Sequence, residues 1–303
     1  MKLCQLLILA VCNLFIVDAF AVDIEPRRWT TLPTGMKVIG AGYGYTTGDL
    51  FFDPVLNVED ATVEVDTLVG IYVQSFSLAG KQVRFDALIP WQQATWDGLL
   101  NGVETTVNRD GFADPRLRLS FNFIGAPSSS AKELRNFYAS NPVNTTAGAA
   151  IAVTLPLGDY HDDKLLNLGN NRYSIRPQIG VVHNRGPWSF ELTSSAIFYT
   201  DNNDFYNNGE RKQDPLFAVQ THLIRIFKPG LWGSISAGYA RGKESIINGV
   251  EKNDQLKQLL RGISLGIPIS RTQSMKLTYI NSRTLADTGA DTQTLGLGWS
   301  MVL

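Results

Sequence analysis

Cysteine is nearly absent from this 303-residue chain: the only two, Cys4 and Cys12, sit at its very start. Histidine is almost as rare, with His161, His183 and His222 the only three. So few thiols and imidazoles exclude a disulfide framework and a Cys/His metal scaffold. Charge is scarce too, at 18% of residues with a net of −1. That balance gives no basic field, so nucleic acid is not an expected partner. After residue 21 no stretch approaches the roughly eighteen consecutive apolar residues that a transmembrane helix needs. Yet 44% of the residues are hydrophobic, which is too many for a disordered chain.

What is present begins with a leader. Lys2 forms a short positive region, Leu3 to Val17 is apolar except for Gln5 and Asn13, and Ala19-Phe20-Ala21 offers small residues at a cleavage site. This predicts a secretory signal peptide over residues 1–21, followed by one domain over 22–303. The alternative, a membrane anchor, would need about twenty apolar residues where this run has about fifteen. Cleavage removes Lys2 and Asp18 together, so the net charge stays at −1, and it removes both cysteines. An exported chain without disulfides needs another source of rigidity, and a closed hydrogen-bonded barrel supplies one.

The mature chain repeats with period two. Leu117, Leu119, Phe121 and Phe123 alternate with Arg116, Arg118, Ser120 and Asn122. Ile175, Pro177, Ile179 and Val181 alternate with Ser174, Arg176, Gln178 and Gly180. Val83, Phe85, Ala87 and Ile89 alternate with Gln82, Arg84 and Asp86, and Val63, Val65, Val69, Ile71 and Val73 with Glu64, Asp66 and Gln74. Such alternation fits a soluble sandwich with its apolar face inward or a membrane barrel with that face toward lipid. Three features favour the barrel. The segments run to about ten residues, the length of a tilted bilayer span. Tight connections at 78–81, 185–188, 228–231 and 270–274 alternate with long polar ones at 48–60, 91–113, 158–172, 201–214 and 242–258. The last segment also keeps Leu295, Leu297, Trp299, Met301 and Leu303 on one face. Within it, Thr294, Gly296, Trp299 and Met301 resemble the C-terminal signal read by the barrel-insertion machinery.

The count is twelve strands, centred on 36–47, 61–77, 82–90, 115–124, 147–157, 173–183, 188–200, 215–227, 232–241, 259–269, 275–284 and 292–303. The predicted fold is therefore an all-β, transmembrane, antiparallel up-and-down β-barrel. An even count puts both termini on the periplasmic side, together with the short turns. One connection, 126–146, is too long for a turn. Ser130 and Glu133 have capping-box spacing ahead of Leu134, Phe137 and Tyr138, which predicts a short helix. Such a helix could lie across the rim or act as a partial plug, and the rim is the simpler placement.

Several stretches carry a resemblance: LPTGMKVIGAGYGY (32–45), GDLFFDP (48–54), RDGFADPRLRLSFNFIGAP (109–127), DDKLLNLGNNR (162–172), TDNNDF (200–205), QDPLFAVQTHL (213–223) and KPGLW (228–232). In this order they resemble the outer-membrane barrel family named for the putative meta-pathway of phenol degradation, whose members are described as transporters. The resemblance implies a channel in the outer membrane of a Gram-negative bacterium that passes small hydrophobic or aromatic solutes. Its expected partners are those solutes, outer-membrane lipid and the insertion machinery.

On the polar parity of their strands lie Arg84, Asp86, Arg116, Arg118, Arg176, Glu191 and Lys276. Facing lipid near the midplane, each Arg or Lys would cost roughly 2–4 kcal/mol, so these side chains are expected to line the lumen. There they would either set charge selectivity or lock into ion-pair ladders. Neither catalysis nor a cofactor is implied. A phospholipase-like barrel hydrolase would need a Ser beside a His, and sequence alone places none beside His222. A closed structural barrel is a third reading. The clusters Asp159, His161, Asp162 and Asp163, and Asp201, Asn203 and Asp204, lack a metal-loop spacing and read as solvated loops. Gly40, Gly42 and Gly44 alternate on one strand face with no helix following, so they mark close packing against a neighbour or bound group and not a nucleotide loop.

Overall fold

The computed structural model describes residues 24–52, 57–252 and 254–303. The leader expected over 1–21 lies outside the described residues. The alternating segments form strands β1 (Lys37–Phe51), β2 (Val58–Leu78), β3 (Lys81–Leu100), β4 (Val103–Phe112), β5 (Arg116–Ile124), β6 (Val143–Thr154), β7 (Ser174–Arg185) and β8 (Trp188–Tyr199). After these come β9 (Asn202–Phe205), β10 (Gly209–Gln213), β11 (Leu216–Lys228), β12 (Leu231–Gly242), β13 (Ser245–Ile247), β14 (Val250–Glu251), β15 (Lys257–Pro268), β16 (Gln273–Thr284) and β17 (Gly289–Val302). A single helix among the described residues, α1 (Ala131–Ser140), follows β5.

Twelve of the strands close into an antiparallel barrel, as the spacing of the alternating segments predicts. Each pairs with its neighbour in sequence, and β1 closes the ring by pairing with both β2 and β17, with Tyr45 opposite Asp66 on one side and Leu295 on the other. Closure matters because hydrocarbon offers no hydrogen bonds, so an open edge inside a bilayer would leave a row of unpaired amides. The outward face is apolar: Leu119, Ile179, Phe190, Phe217, Ile235, Ile263 and Leu295 are all exposed. The inward face is polar and buried, including Arg118, Ser120, Arg176, Gln178, Glu191, Thr193, Gln220 and His222.

Strand β2 departs from the expected parity. Its valines Val63, Val65 and Val73 point inward and are buried, whereas Glu64, Leu68 and Phe76 are exposed. Val69 and Ile71 share this inward face and line the lumen, so within the wall β2 turns branched apolar side chains inward and Leu68 and Phe76 outward. At 21 and 20 residues, β2 and β3 are nearly twice as long as a bilayer span, so they rise above the rim of the wall. There Glu64 meets water, while Val63 and Val65 pack with Leu50, Ala61, Ala94, Trp96, Ala113, Leu168 and Ala290 in an apolar cluster.

The two rims differ as the connections foretell. At one, β2 turns into β3 through Ala79 and Gly80 with φ of 49° and 72°, the two positive values that a two-residue hairpin of this type demands. On that rim, Ser130 and Glu133 form the expected capping box, with Ser130 N donating to Glu133 Oε2 at 2.9 Å. The loop leading into α1 is tied at the rim, where Thr34 N donates to Ser129 O at 2.9 Å and the Thr34 and Ser128 hydroxyls lie 2.7 Å apart. At the other rim the long connections are not plain loops. Residues 91–112 extend β3 and pair it with β4. Strands β9, β10, β13 and β14 form a second small sheet from two further connections.

Turning one lipid-facing side chain into a cation tests this placement. Leu119→Arg should cost about 2–4 kcal/mol in denaturant unfolding from bilayers, and Leu119→Val less than half of that.

Candidate functional site

The lumen is crossed by a segment that the alternation gives no sign of. Residues 24–36 precede β1 at the short-turn rim, where Gly35 N donates to Ser75 O at 3.1 Å. From there the chain runs back into the barrel, turning at Arg27 with φ of 69°. Trp29 is 1% exposed and donates from Nε1 to Thr193 Oγ1 at 2.8 Å. Its indole occupies a notch made by Gly148 and Gly180, which oppose each other across β6 and β7, and a Cβ at Gly180 would overlap the ring. Ile24 packs in the cluster of Leu216, Ala218, Ala240 and Leu260 on the far side.

Between these anchors lies a charge network. Glu25 accepts from Arg118 Nη1 at 2.5 Å and lies 3.3 Å from Arg116 Nη2. Arg28 Nη1 lies 3.1 Å from Asp86 Oδ2, and its guanidinium also reaches the Ser120 hydroxyl. The other Asp86 oxygen takes Arg84 at 2.5 Å. Arg28 N donates to Glu191 Oε1 at 2.8 Å, so the carboxylate is held by main chain. Of the seven residues singled out by parity, Arg84, Asp86, Arg116 and Arg118 thus meet in one network, joined through the segment to Glu191. Arg176, which donates to Ser195 Oγ at 3.2 Å, and Lys276 lie on the lumen wall.

Glu25, Arg28 and Trp29 are the residues that sequence reasoning missed. Their signal was a charged and aromatic run in a charge-poor chain, placed just after the expected cleavage site, where no periodicity marks an element.

Toward the long-connection rim, above this network, lies a cavity of about 470 Å³. Arg116, Arg176 and Lys276 line it together with Val69, Ile71, Leu88, Pro90, Ile197 and Tyr199. One wall is bare backbone: Gly42 opposes Gly298 and Gly44 opposes Gly296 across β1 and β17. A Cβ at Gly44 would meet nothing within 4 Å, and one at Gly296 or Gly298 nothing nearer than 3.9 Å. Gly40 and Gly42 instead pack closely, against Trp299 O and the Val69 side chain. The expectation of close packing therefore holds for the lower pair, while Gly44 opens onto space.

Connection 155–173 folds over the mouth. Asp114 accepts from Gly158 N at 2.9 Å, Asn170 N at 2.8 Å and Asn170 Nδ2 at 3.1 Å. Burial pushes its carboxyl above the usual range, against the pull of these donors. Leu168, on the same connection, is buried in the apolar cluster above the cavity. Within the small outer sheet, burial likewise raises Asp254 to about 6, although it accepts from Ser245 N at 2.7 Å and Ser245 Oγ at 2.6 Å. Among the described residues no group of three or more acidic, His or Cys side chains is placed to hold a metal ion.

Structure does place a serine beside His222: Nδ1 and Ser236 Oγ lie 2.8 Å apart, and Glu191 is directly opposite on β8. All three are buried inside the wall.

The family profile described as Putative MetA-pathway of phenol degradation matches residues 42–298. The chain belongs to this family. Among solved structures, an outer membrane channel from Pseudomonas putida F1 is similar over 93% of this chain and 100% of its own, with 21% identity and a TM-score of 0.77. The transport unit of the autotransporter AIDA-I from Escherichia coli is similar over 99% and 97%, with 9% identity and a TM-score of 0.51. At these identities the likeness carries the barrel fold. A comparison with curated protein sequences found no match. For this member of the phenol-degradation family, the feature of interest is the transverse segment that bars the lumen.

Releasing that segment should widen the path. Gly180→Val evicts the Trp29 indole, and Glu25→Ala removes the carboxylate that Arg28, Arg116 and Arg118 share. Removing one partner of a buried ion network costs roughly 3–5 kcal/mol. The seated population should therefore fall at least a hundredfold, read as a higher single-channel conductance in planar bilayers for either variant.

Proposed function

We propose that the protein is an outer-membrane channel for small, largely apolar or aromatic solutes, with the long-connection rim outside and both termini periplasmic. The observation that carries this reading is the cavity: apolar side chains and a glycine-smooth wall stand over the cations Arg116, Arg176 and Lys276. Flat apolar rings fit against bare backbone, and guanidinium groups favour an acidic or hydroxyl substituent on such a ring. The family's description ties it to phenol degradation, and the similar Pseudomonas putida F1 protein is described as an outer membrane channel. The apolar outward positions Leu295 and Leu297 of β17, with the exposed Leu303 just after it, fit recognition by the insertion machinery and contact with outer-membrane lipid. No step of bond-making enters this reading: of the seven charged residues, Arg116, Arg176 and Lys276 act on what passes, while Arg84, Asp86, Arg118 and Glu191 hold the transverse segment.

Filling the glycine wall tests the site. Gly44→Phe and Gly296→Phe should each reduce flux of an aromatic solute into liposomes at least tenfold. The outward-facing Leu295→Phe should leave the flux within twofold. Equal flux in all three variants would remove the cavity from the path.

Charge selection is tested separately. Replacing Arg116 and Arg176 together by Gln should shift the reversal potential in a salt gradient toward lower anion preference. An unchanged preference would assign these arginines to wall support alone.

A hydrolase is the one rival with a specific observation behind it, the contact between Ser236 and His222. Both side chains are sealed from solvent, however, so an ester has no way to reach them. His222→Ala should keep solute uptake within about twofold and change no lipid-hydrolysing activity of the purified protein.

A further inference from the structure

On the outer wall, cations gather on one arc. Along β12, β15 and β16 the odd-numbered residues face outward, and Arg241, Lys257, Arg261 and Arg283 all share that face close to the long-connection rim. Arg241 stands directly opposite Lys257, and Arg283 directly opposite Leu259, between Lys257 and Arg261. Like charges opposed across an antiparallel pair are destabilising. Arg261 lies deeper still, with outward Ile263 and Leu265 just below it on the strand. Among the described residues the one ion pair of the patch is Arg283 with Asp291, 3.8 Å from Arg283 Nε, and the other oxygen of Asp291 is engaged by Thr284 N at 2.7 Å. Among the described residues Arg241, Lys257 and Arg261 have no ion-pair partner. Asp49, exposed on β1, stands opposite Asp291 on the side away from the patch, and Glu64 and Asp66 lie one strand further round on β2.

We infer that this arc is a docking surface for a phosphorylated glycolipid of the outer leaflet, a disaccharide carrying two phosphates of the lipid A type. The inference rests on the proposed orientation, with the long-connection rim outside. Lys257 and Arg261 are four residues apart on one strand, about 13 Å, so one monoanionic headgroup cannot serve both ends of the patch. Two phosphates on a rigid disaccharide can. Guanidinium forks suit phosphate oxygens, and anionic headgroups commonly settle on basic clusters at the membrane surface. Beneath the cations, Tyr239, Ile235, Ile263, Leu265 and Tyr279 offer the apolar face that several acyl chains require.

The test is native mass spectrometry of the purified barrel in uncharged detergent, with lipid A bisphosphate, the same lipid freed of both phosphates, or phosphatidylglycerol added. Wild type and the charge-conserving Lys257→Arg/Arg261→Lys variant should each retain one lipid A. Lys257→Glu/Arg261→Glu should reduce retention at least tenfold, to the level of the dephosphorylated lipid on wild type. Heat-shifted gel migration confirms that each variant is folded. Three outcomes would overturn the inference: equal retention of the dephosphorylated lipid, equal retention by the charge-reversed variant, or equal retention of phosphatidylglycerol. Single-channel conductance of the charge-reversed variant should match wild type, so failure of the lipid site and failure of the channel reading are separately visible.

Discussion

Four guanidiniums share the waist of this barrel, and among the described residues Glu25 and Asp86 pair with them: Arg28 with both, Arg84 with Asp86, Arg116 with Glu25, and Arg118 with both. Without Glu25 the wall arginines would face one another across a narrow, poorly hydrated space. Such repulsion is screened far less than it would be on a surface. The wall therefore supplies an electrostatic socket, and the segment 24–36 supplies its counter-charge. What divides the lumen into a charged waist and an apolar chamber is thus the placement of one carboxylate on a segment that is not part of the wall.

The two halves of the pathway follow different physics. At the waist, charges are satisfied pairwise and by main-chain donors, which makes the arrangement stiff and costly to break. In the chamber, apolar side chains and bare glycine backbone offer no directional contacts. A solute there is selected by shape and by cations at the floor. The apolar cluster around Trp96 and Leu168 covers the chamber from the long-connection side, and Asp114 pins the connection that brings Leu168 there.

Much of the wall was legible because a tilted strand in a bilayer must alternate, and alternation survives in sequence. Leu119, Ile179 and Phe190 announce their lipid face, and Arg118 and Arg176 its opposite. β2 defeated the same reasoning because apolar residues also turn inward where the lumen itself is apolar, as Val69 and Ile71 do, and where the strand leaves the bilayer, as Val63 and Val65 do. The hairpin of β3 and β4 was hidden for a related reason. In water its faces need no apolar pattern, and only Asn101-Gly102, both at positive φ, marks the tip. Asn248-Gly249 does the same between β13 and β14. The helix was readable from Ser130 and Glu133, a local signal. The segment carrying Glu25 and Trp29 was not readable, since its contacts lie far away in sequence and it has no regular element of its own. Ser236 beside His222 needed the strand register, which periodicity does not fix.

The Trp29 notch also sets an order of events. Arg28 reaches a hydroxyl 92 residues away and a carboxylate 163 residues away, and Glu25 bonds a side chain 195 residues away. None of these partners is in place until β5, β8 and β11 have joined the sheet. Contacts this distant in sequence form late, because the loops they close carry the largest entropy cost. Residues 24–29 are thus among the last to dock, and until they do so the newly closed ring lacks the bar across its waist.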